Sequence, residues 1–347
     1  MIGRWKHRIM IAFITAAALW ATCQLGLAQS PPATIIEIQG NNWVSYYGDV
    51  FDYSKIATDP GIALTLLPTK PFQFYIDIVD IVTVNGKPAR GTWVTTGSPQ
   101  VRLTPNATPG ASTPSAIADV GRGAVTGHYL EILQPDGTPV GTILVSGMSQ
   151  GSPPPGAPRA LGRDNLIVLG GTGAFLGARG QAGNAVDASL VTARVTSISE
   201  DPANRRLHGG GSKRLVVHLI PMFRPEVVTT AAGPAVVHSS DYSLVTAAKP
   251  AKSGEILTLF ASGLGPTRPG VDPGQPFTAN PPQVANSPIE VLVNGKSGDV
   301  LYAAGYPGAV DGYQINFRVP DGIAPGPASL QLVSAWIAGS EVRVAIQ

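Results

Sequence analysis

The sequence predicts an all-β protein with two strand-rich regions joined by a short linker. Glycine and proline supply 41 and 32 of the 347 residues, and both break helices. Apolar and polar residues alternate with period two along many short segments, which is typical of strands with two distinct faces. Hydrophobic residues reach 44% and charged residues only 13%, so the chain is too apolar for a disordered protein.

Residues 1–28 have the pattern of a secretory signal peptide. Three basic residues precede an apolar run over residues 9–21, which is too short to span a bilayer as a helix. The small residues Gly26 and Ala28 predict cleavage after Ala28. We therefore expect a secreted protein, released outside the cell, into a periplasm or onto the cell surface. A lipoprotein signal at Cys23 is the disfavoured alternative.

Cleavage at this position would change the charge and the redox chemistry of the chain. The formal net charge would fall from +2 to −1, because Arg4, Lys6 and Arg8 are lost. The only cysteine would also be removed, which leaves no disulfide and no thiolate. A nucleic-acid partner needs a basic face, so none is predicted.

About eight strands are predicted between residues 33 and 222. An alternating run reaches Val84 and ends at Asn85-Gly86, a strong hairpin signal. Further strands are predicted at 126–134, 140–146, 165–169, 189–198 and 213–220, the last two forming a hairpin. Two proline-rich segments, 98–115 and 151–159, are predicted to be loops, because proline cannot donate to a sheet ladder.

Two glycine motifs resemble functional loops but lack the structural context that such loops need. Residues 147–151 fit G-x-S-x-G, yet three prolines follow where a nucleophile elbow needs a helix. Residues 171–177 resemble a dinucleotide loop, but the following segment alternates like a strand. We interpret the second motif as a bulged turn between two strands. Neither a hydrolase nor a nucleotide site is predicted.

The histidines and a group of basic residues are candidates for metal, cofactor or anion sites. The four histidines beyond the signal peptide are scattered, so neither a metal site nor a cofactor is predicted. Arg205, Arg206, Lys213 and Arg214 are predicted to form a solvated hairpin tip, with an anion contact as the alternative.

Three segments resemble the plant dirigent proteins. The stretch LGGTGAFLGARG at 169–180 is similar to their G-G-T-G-x-F-x-x-A-R-G segment. Gly121-Arg122 followed by Gly127-His128-Tyr129 resembles their G-R-a-q-G-x-Y strand, and Asp77 lies in an early strand where dirigents carry an aspartate. Allene oxide cyclases share this barrel and have a related glycine-rich stretch.

The resemblance implies that residues 33–222 form an eight-stranded antiparallel barrel with a hydrophobic cavity. It implies a small apolar or phenolic ligand, whose stereochemistry or cyclisation the barrel steers, and a separate oxidase as partner. Asp77 and Arg179 match polar cavity residues of dirigents, and Tyr129 matches the motif aromatic. Dirigent-like barrels commonly associate, so a homo-oligomer through the barrel is expected.

Residues 240–347 contain about seven short strands and predict a small β-sandwich, with 223–239 as the linker. The segments from Gly254 to Thr267 and from Gly312 to Pro320 resemble an uncharacterised C-terminal domain of bacterial secreted proteins. That resemblance implies an accessory, immunoglobulin-like module.

Two classes of function remain open. If the barrel is an enzyme, an isomerase or cyclase is expected rather than a hydrolase. The alternative is a cell-surface structural or adhesion protein without a small-molecule ligand. An open cavity containing Asp77 or Arg179 favours the ligand-binding class, and a filled interior favours the structural class.

Overall fold

The computed structural model describes residues 34–48, 74–105, 118–149, 164–185 and 187–347. The predicted signal peptide and the predicted loop 151–159 lie outside these residues. The first strand-rich region contains a four-residue helix, α1 (Asn204–Leu207). Its nine strands are β1 (Thr34–Gly48), β2 (Phe74–Val84), β3 (Lys87–Pro105), β4 (Ala118–Leu133), β5 (Pro139–Ser149), β6 (Asn165–Gly173), β7 (Arg179–Asn184), β8 (Arg194–Ser197) and β9 (Gly211–Ile220).

Eight of these nine strands close into an antiparallel barrel. Their order around the ring is β1-β2-β3-β4-β5-β6-β7-β9, and β9 pairs with β1 to close it. β8 lies outside this ring order and pairs in parallel with the second half of β1. The prediction of an all-β protein with an eight-stranded antiparallel barrel is confirmed. The glycine-rich segment after β6 is a turn between two barrel strands, as interpreted from the sequence.

Two local strand predictions are wrong. The hairpin between 189–198 and 213–220 does not form, because β8 pairs with β1 while β9 pairs with β7 and β1. The predicted loop 98–115 is partly strand, since β3 continues to Pro105 and pairs with the start of β4. In the described residues β2 pairs with β3 only as far as Gly97, so beyond that point β3 is an edge, where proline is tolerated.

Apolar side chains fill the barrel from the end that carries its short turns. Eight strands leave an interior just wide enough for side chains. Ten of them expose no surface to water, so they border no void that could hold one water molecule. They are Ile36, Ile38, Val79, Trp93, Leu130, Ile132, Ile143, Leu215, Val217 and Leu219. The hydrophobic cavity that the dirigent resemblance implies is therefore absent from the part of the interior bordered by these residues.

The second strand-rich region forms a ten-stranded sheet that nearly closes on itself. Its strands are β10 (Glu226–Val227), β13 (Val236–His238), β14 (Ile256–Ser262), β15 (Thr267–Arg268), β16 (Val284–Ala285), β17 (Ile289–Val293), β18 (Lys296–Gly305), β19 (Gly312–Arg318), β20 (Gly326–Ser334) and β21 (Ile337–Ile346). β11 (Thr229–Thr230) pairs with β12 (Gly233–Pro234) in a separate ribbon. The segment predicted to be the linker thus carries β10 to β13. An immunoglobulin-like relationship stays a prediction.

A hairpin of the second sheet covers the short-turn end of the barrel. β20 and β21 are joined by Ala335 and Trp336, whose φ angles are 48° and 62°. Both residues and Ile337 belong to the core cluster of the barrel. Gln134 Nε2, from the turn between β4 and β5, donates to the Asn286 carbonyl oxygen at 2.6 Å. The two sheets form one compact unit over residues 34–347.

Candidate functional site

Buried polar side chains collect at the opposite end of the barrel. There the connections are long, because residues 49–73, 106–117 and 150–163 join successive strands at that end. Five strands that are neighbours in the ring, β9, β1, β2, β3 and β4, contribute the side chains. We call the following six residues the polar cluster: Ser45, Asp77, Thr95, Thr126, His128 and Lys213.

A β-bulge in β1 directs two side chains toward this cluster. Between Asn41 and Val44 the strand advances three residues while β2 advances two, and Asn42 has a φ of 55°. The extra residue reverses the alternation of the strand. Inward positions are even-numbered before the bulge and odd-numbered after it. Trp43 and Ser45 are therefore brought to the interior.

Asp77 and Lys213 form an ion pair inside the cluster. Asp77 is only 4% exposed and Lys213 only 6%. Lys213 Nζ lies 3.1 Å from Asp77 Oδ2 and 3.4 Å from Thr95 Oγ1. Ser45 Oγ donates to the second carboxylate oxygen, Asp77 Oδ1, at 2.5 Å. Both oxygens of the carboxylate thus have partners inside the barrel.

Two tryptophans enclose the Lys213 ammonium. Its Nζ lies 4.5 Å from the ring centroid of Trp93 and 4.9 Å from that of Trp43, within the range of cation–π attraction. Trp93 is fully buried. Trp43 is partly exposed, and among the residues that the structure describes its buried Nε1 has no hydrogen-bond partner. Trp43 is consequently the ring of this pair that a bound molecule can reach.

His128 is held as a neutral ring with a defined tautomer. Trp93 Nε1, which can only donate, lies 3.1 Å from His128 Nδ1, so Nδ1 accepts and Nε2 carries the proton. Thr95 Oγ1 lies 3.2 Å from the same Nδ1, and Thr126 Oγ1 lies 3.1 Å from Nε2. Burial, and secondarily the charge of Lys213, lower the pKa of His128 well below 6.5. The ring is uncharged at neutral pH.

Tyr75 adds a third aromatic side chain beside the cluster. It precedes Asp77 by two residues on β2 and pairs with Gly97 on β3. A Cβ atom on Gly97 would lie 2.4 Å from the Tyr75 ring, so only glycine leaves room for this ring position. Tyr75 is partly exposed, like Trp43. The accessible rim of the cluster is therefore aromatic, with an ammonium and a carboxylate beneath it.

The structure does not bring the three predicted site residues together. Asp77 lies inside the barrel, where its carboxylate pairs with Lys213. Tyr129 is 45% exposed and lies on the outer face of β4, because the inward positions of that strand are the even-numbered ones. Arg179 is also exposed, and its Nη1 donates to the Leu169 carbonyl oxygen at 2.7 Å. Tyr129 and Arg179 are thus separated from Asp77 by the barrel wall.

Sequence reasoning missed Lys213, the ion partner of Asp77. The prediction of a solvated basic tip is wrong for this residue, because Lys213 points inward while its neighbour Arg214 points outward to Asp187 at 3.0 Å. Arg205 and Arg206 both contact Asp80 instead. One signal was available in the sequence. Lys213 shares the alternation of the buried residues of its strand, Leu215, Val217 and Leu219.

The polar side chains of the cluster already form hydrogen bonds with one another and with Trp93. Both nitrogens of His128 and both oxygens of Asp77 have hydrogen-bond partners. In the part of the chain that the structure describes, no three metal-ligating side chains lie close enough to hold an ion. To a bound molecule, the cluster can donate hydrogen bonds from the Lys213 ammonium and accept them at the Asp77 carboxylate. Aromatic rings lie beside both groups.

No family model, curated protein or solved structure matches the chain. Within the described ranges no helix is long and apolar enough to cross a membrane. Fold and site together define an all-β protein whose first sheet closes into an eight-stranded antiparallel barrel with a buried polar cluster at one end.

Proposed function

We propose that the polar cluster and the aromatic residues beside it bind a small phenolic or other aromatic molecule at the long-loop end of the barrel. The observation that carries the proposal is the buried ion pair between Asp77 and Lys213. Replacing such a pair with apolar residues is often neutral or stabilising, by roughly 1–4 kcal/mol. Stability alone therefore gives little reason to place two charges inside a barrel whose core is otherwise packed by apolar side chains at the short-turn end.

A phenol suits the groups that the rim presents. Its hydroxyl has one proton to donate and two lone pairs to accept with. Asp77 can accept that proton in a hydrogen bond, and Lys213 can donate to the oxygen. The ring of the ligand can stack on Trp43 or Tyr75, each such contact contributing about 0.5–1.5 kcal/mol beyond area burial.

The resemblance to dirigents and allene oxide cyclases supports a further part of the proposal. By holding one conformation of a reactant, the barrel would lower the entropic cost of one coupling or cyclisation route. A separate oxidase would then supply any radical. The ligand lies at the polar rim in this account, because the apolar part of the interior is occupied by the protein's own side chains.

A second candidate function is favoured by that same filled interior. A barrel packed by Trp93, Leu130 and Leu215 could be a structural or adhesive module at a cell surface, with no small-molecule ligand. The polar cluster would then only fix which strands pair. Ligand binding distinguishes the two candidates.

A thermal-shift comparison tests the proposal. Alkylphenols, matching alkylbenzenes and fatty-acid derivatives are titrated against the wild-type chain and against the double variant Asp77→Leu/Lys213→Met. The control is Asp187→Leu/Arg214→Met. It removes the ion pair that Arg214 forms on the outer face of β9, the strand that also carries Lys213. We expect phenols to stabilise the wild type and the control, by about 2.7 kcal/mol at one hundred times the dissociation constant, but not the inner double variant.

Two results would contradict the proposal. One is the absence of stabilisation by every compound at saturating concentration, which favours the structural candidate. The other is equal stabilisation of the wild type and the inner double variant, which would place binding elsewhere. Phenols and alkylbenzenes that stabilise equally would remove the assigned role of the hydroxyl.

A further inference from the structure

A group of side chains outside the barrel is fastened to the bulge in β1. Arg205, on helix α1, contacts Asp80 Oδ1 through Nη2, and its Nη1 donates to the Asn42 carbonyl oxygen at 3.4 Å. Asn42 Nδ2 donates to Asp80 Oδ2 at 3.1 Å. Arg205 is 7% exposed, so its charge is neutralised away from water. We call Asn42, Asp80 and Arg205 the bulge clamp.

Asn42 is the residue of the bulge that most needs support. Its φ of 55° lies in the left-handed region, which asparagine tolerates better than most residues but does not prefer. Its backbone carbonyl accepts a hydrogen bond from Arg205, and its side-chain amide donates one to Asp80. The clamp therefore holds the one residue whose conformation defines the bulge.

Loss of the bulge would change which side chains reach the polar cluster. Without the extra residue, β1 would keep its even-numbered alternation, and Val44 would replace Trp43 and Ser45 at inward positions. Lys213 would then lose the Trp43 ring, and Asp77 would lose the Ser45 hydroxyl.

We propose that Arg205 is a positioning residue, which acts from outside the barrel to fix the bulge and thereby sets Trp43 and Ser45 in the ligand site. This inference rests on the proposed function for its biological meaning, whereas the geometric claim can be tested without any ligand. Arg206 offers a matched comparison, because it contacts the same Asp80 but is largely exposed and, in the described part of the chain, donates no hydrogen bond to Asn42.

Fluorine NMR of the full chain, with 5-fluorotryptophan incorporated, reads the position of Trp43 directly. Trp43→Phe assigns its resonance, and Trp336, at the other end of the barrel, reports whether the fold is intact. We expect Arg205→Met to move the Trp43 resonance and to make it sensitive to solvent, with Trp336 unchanged. Arg205→Lys should restore most of the native position, and Arg206→Met should leave it in place.

An unmoved Trp43 resonance in Arg205→Met with Trp336 native would overturn the inference. If Arg205→Met also displaces Trp336, Asp80→Asn decides by the same criterion, since it keeps an oxygen for the Asn42 amide but weakens the hold on Arg205. Where a phenol binds the wild type, its affinity should fall about tenfold or more in Arg205→Met. A moved Trp43 in a chain that binds no phenol supports the clamp and contradicts only the proposed function.

Discussion

The indole N–H of Trp93 donates to Nδ1 of His128 at 3.1 Å, a contact that only an unprotonated Nδ1 can accept. An imidazolium would present a second N–H to the indole, so protonation breaks the contact. With His128 neutral, Lys213 and Asp77 balance each other inside the barrel. The proposed binding of an uncharged hydroxyl depends on this balance.

Folding stability should fall in mild acid because of His128. Its pKa is lowered by burial in the folded state, so below about 6.5 the unfolded chain binds a proton that the folded chain does not. His128 therefore does not reduce the free energy of unfolding above pH 6.5. Below that pH the free energy of unfolding falls by up to about 1.4 kcal/mol per pH unit. Urea titrations at pH 5.0 to 7.5 measure this slope.

The His128→Gln variant should lose most of the slope between pH 6.5 and 5, whatever its stability at pH 7.5. His218→Gln is the control, because burial also lowers the pKa of His218, on the outer face of β9, but less strongly. An undiminished slope in His128→Gln, or a greater loss in His218→Gln, would show that His128 is not the titrating group.

Single substitutions in the ion pair should destabilise the barrel far more than their combination. Asp77→Leu or Lys213→Met leaves one buried charge unpaired, at a cost of roughly 3–5 kcal/mol. Asp77→Leu/Lys213→Met removes both charges. Its free energy of unfolding should lie within about 1 kcal/mol of the wild-type value or exceed that value. Urea unfolding of the four proteins gives the coupling energy. Additive losses in the double variant would mean that the two charges do not interact in the folded chain.

Trp336 should stabilise the barrel although it belongs to the second sheet. Trp336 is 8% exposed and packs in the barrel core, so Trp336→Ala should lower the free energy of unfolding by about 3–5 kcal/mol. Both sheets should unfold in one transition, seen by calorimetry and by urea titration. Leu301→Ala, at an exposed position of the second sheet, should change stability by less than about 0.5 kcal/mol. Two separate transitions in the wild type would contradict this coupling.

A homo-oligomer through the barrel stays a prediction, and an exposed apolar patch on the barrel is the surface we predict for it. Tyr129, Leu144, Ile167 and Leu169 are 39–54% exposed and lie on the outer faces of the adjacent strands β4, β5 and β6. Ile167→Glu should shift the sedimentation coefficient toward the monomer, and the control Leu301→Glu should not. Wild-type chain that sediments as a monomer at all concentrations would refute the prediction.

Strand positions could largely be predicted from alternation, whereas strand partners could not. The turns at Asn85-Gly86 and at residues 135–137 follow from local chemistry and define two hairpins correctly. β8 and β9 are close in sequence, yet both pair with β1, since closure of the ring decides partners that local pattern cannot. The extension of β3 to Pro105 was missed because proline excludes central strands but not edges.

The candidate site was only partly predictable because a bulge reverses alternation. Asp77 could be identified, but nothing local shows that Trp43 and Ser45 change faces at Asn42. Lys213 lay beside other basic residues and was therefore expected in solvent. Tyr129 and Arg179 were assigned from motif resemblance, and the alternation of β4 and β7 turns both outward.

Titration of fluorotryptophan-labelled chain with an alkylphenol tests the central claim most directly. We predict saturable movement of the Trp43 and Trp93 resonances, with Trp336 stationary at the covered end of the barrel. Asp77→Leu/Lys213→Met should abolish the movement. Resonances of Trp43 and Trp93 that stay fixed up to the solubility limit of the phenol, or a response confined to Trp336, would contradict binding at the polar cluster.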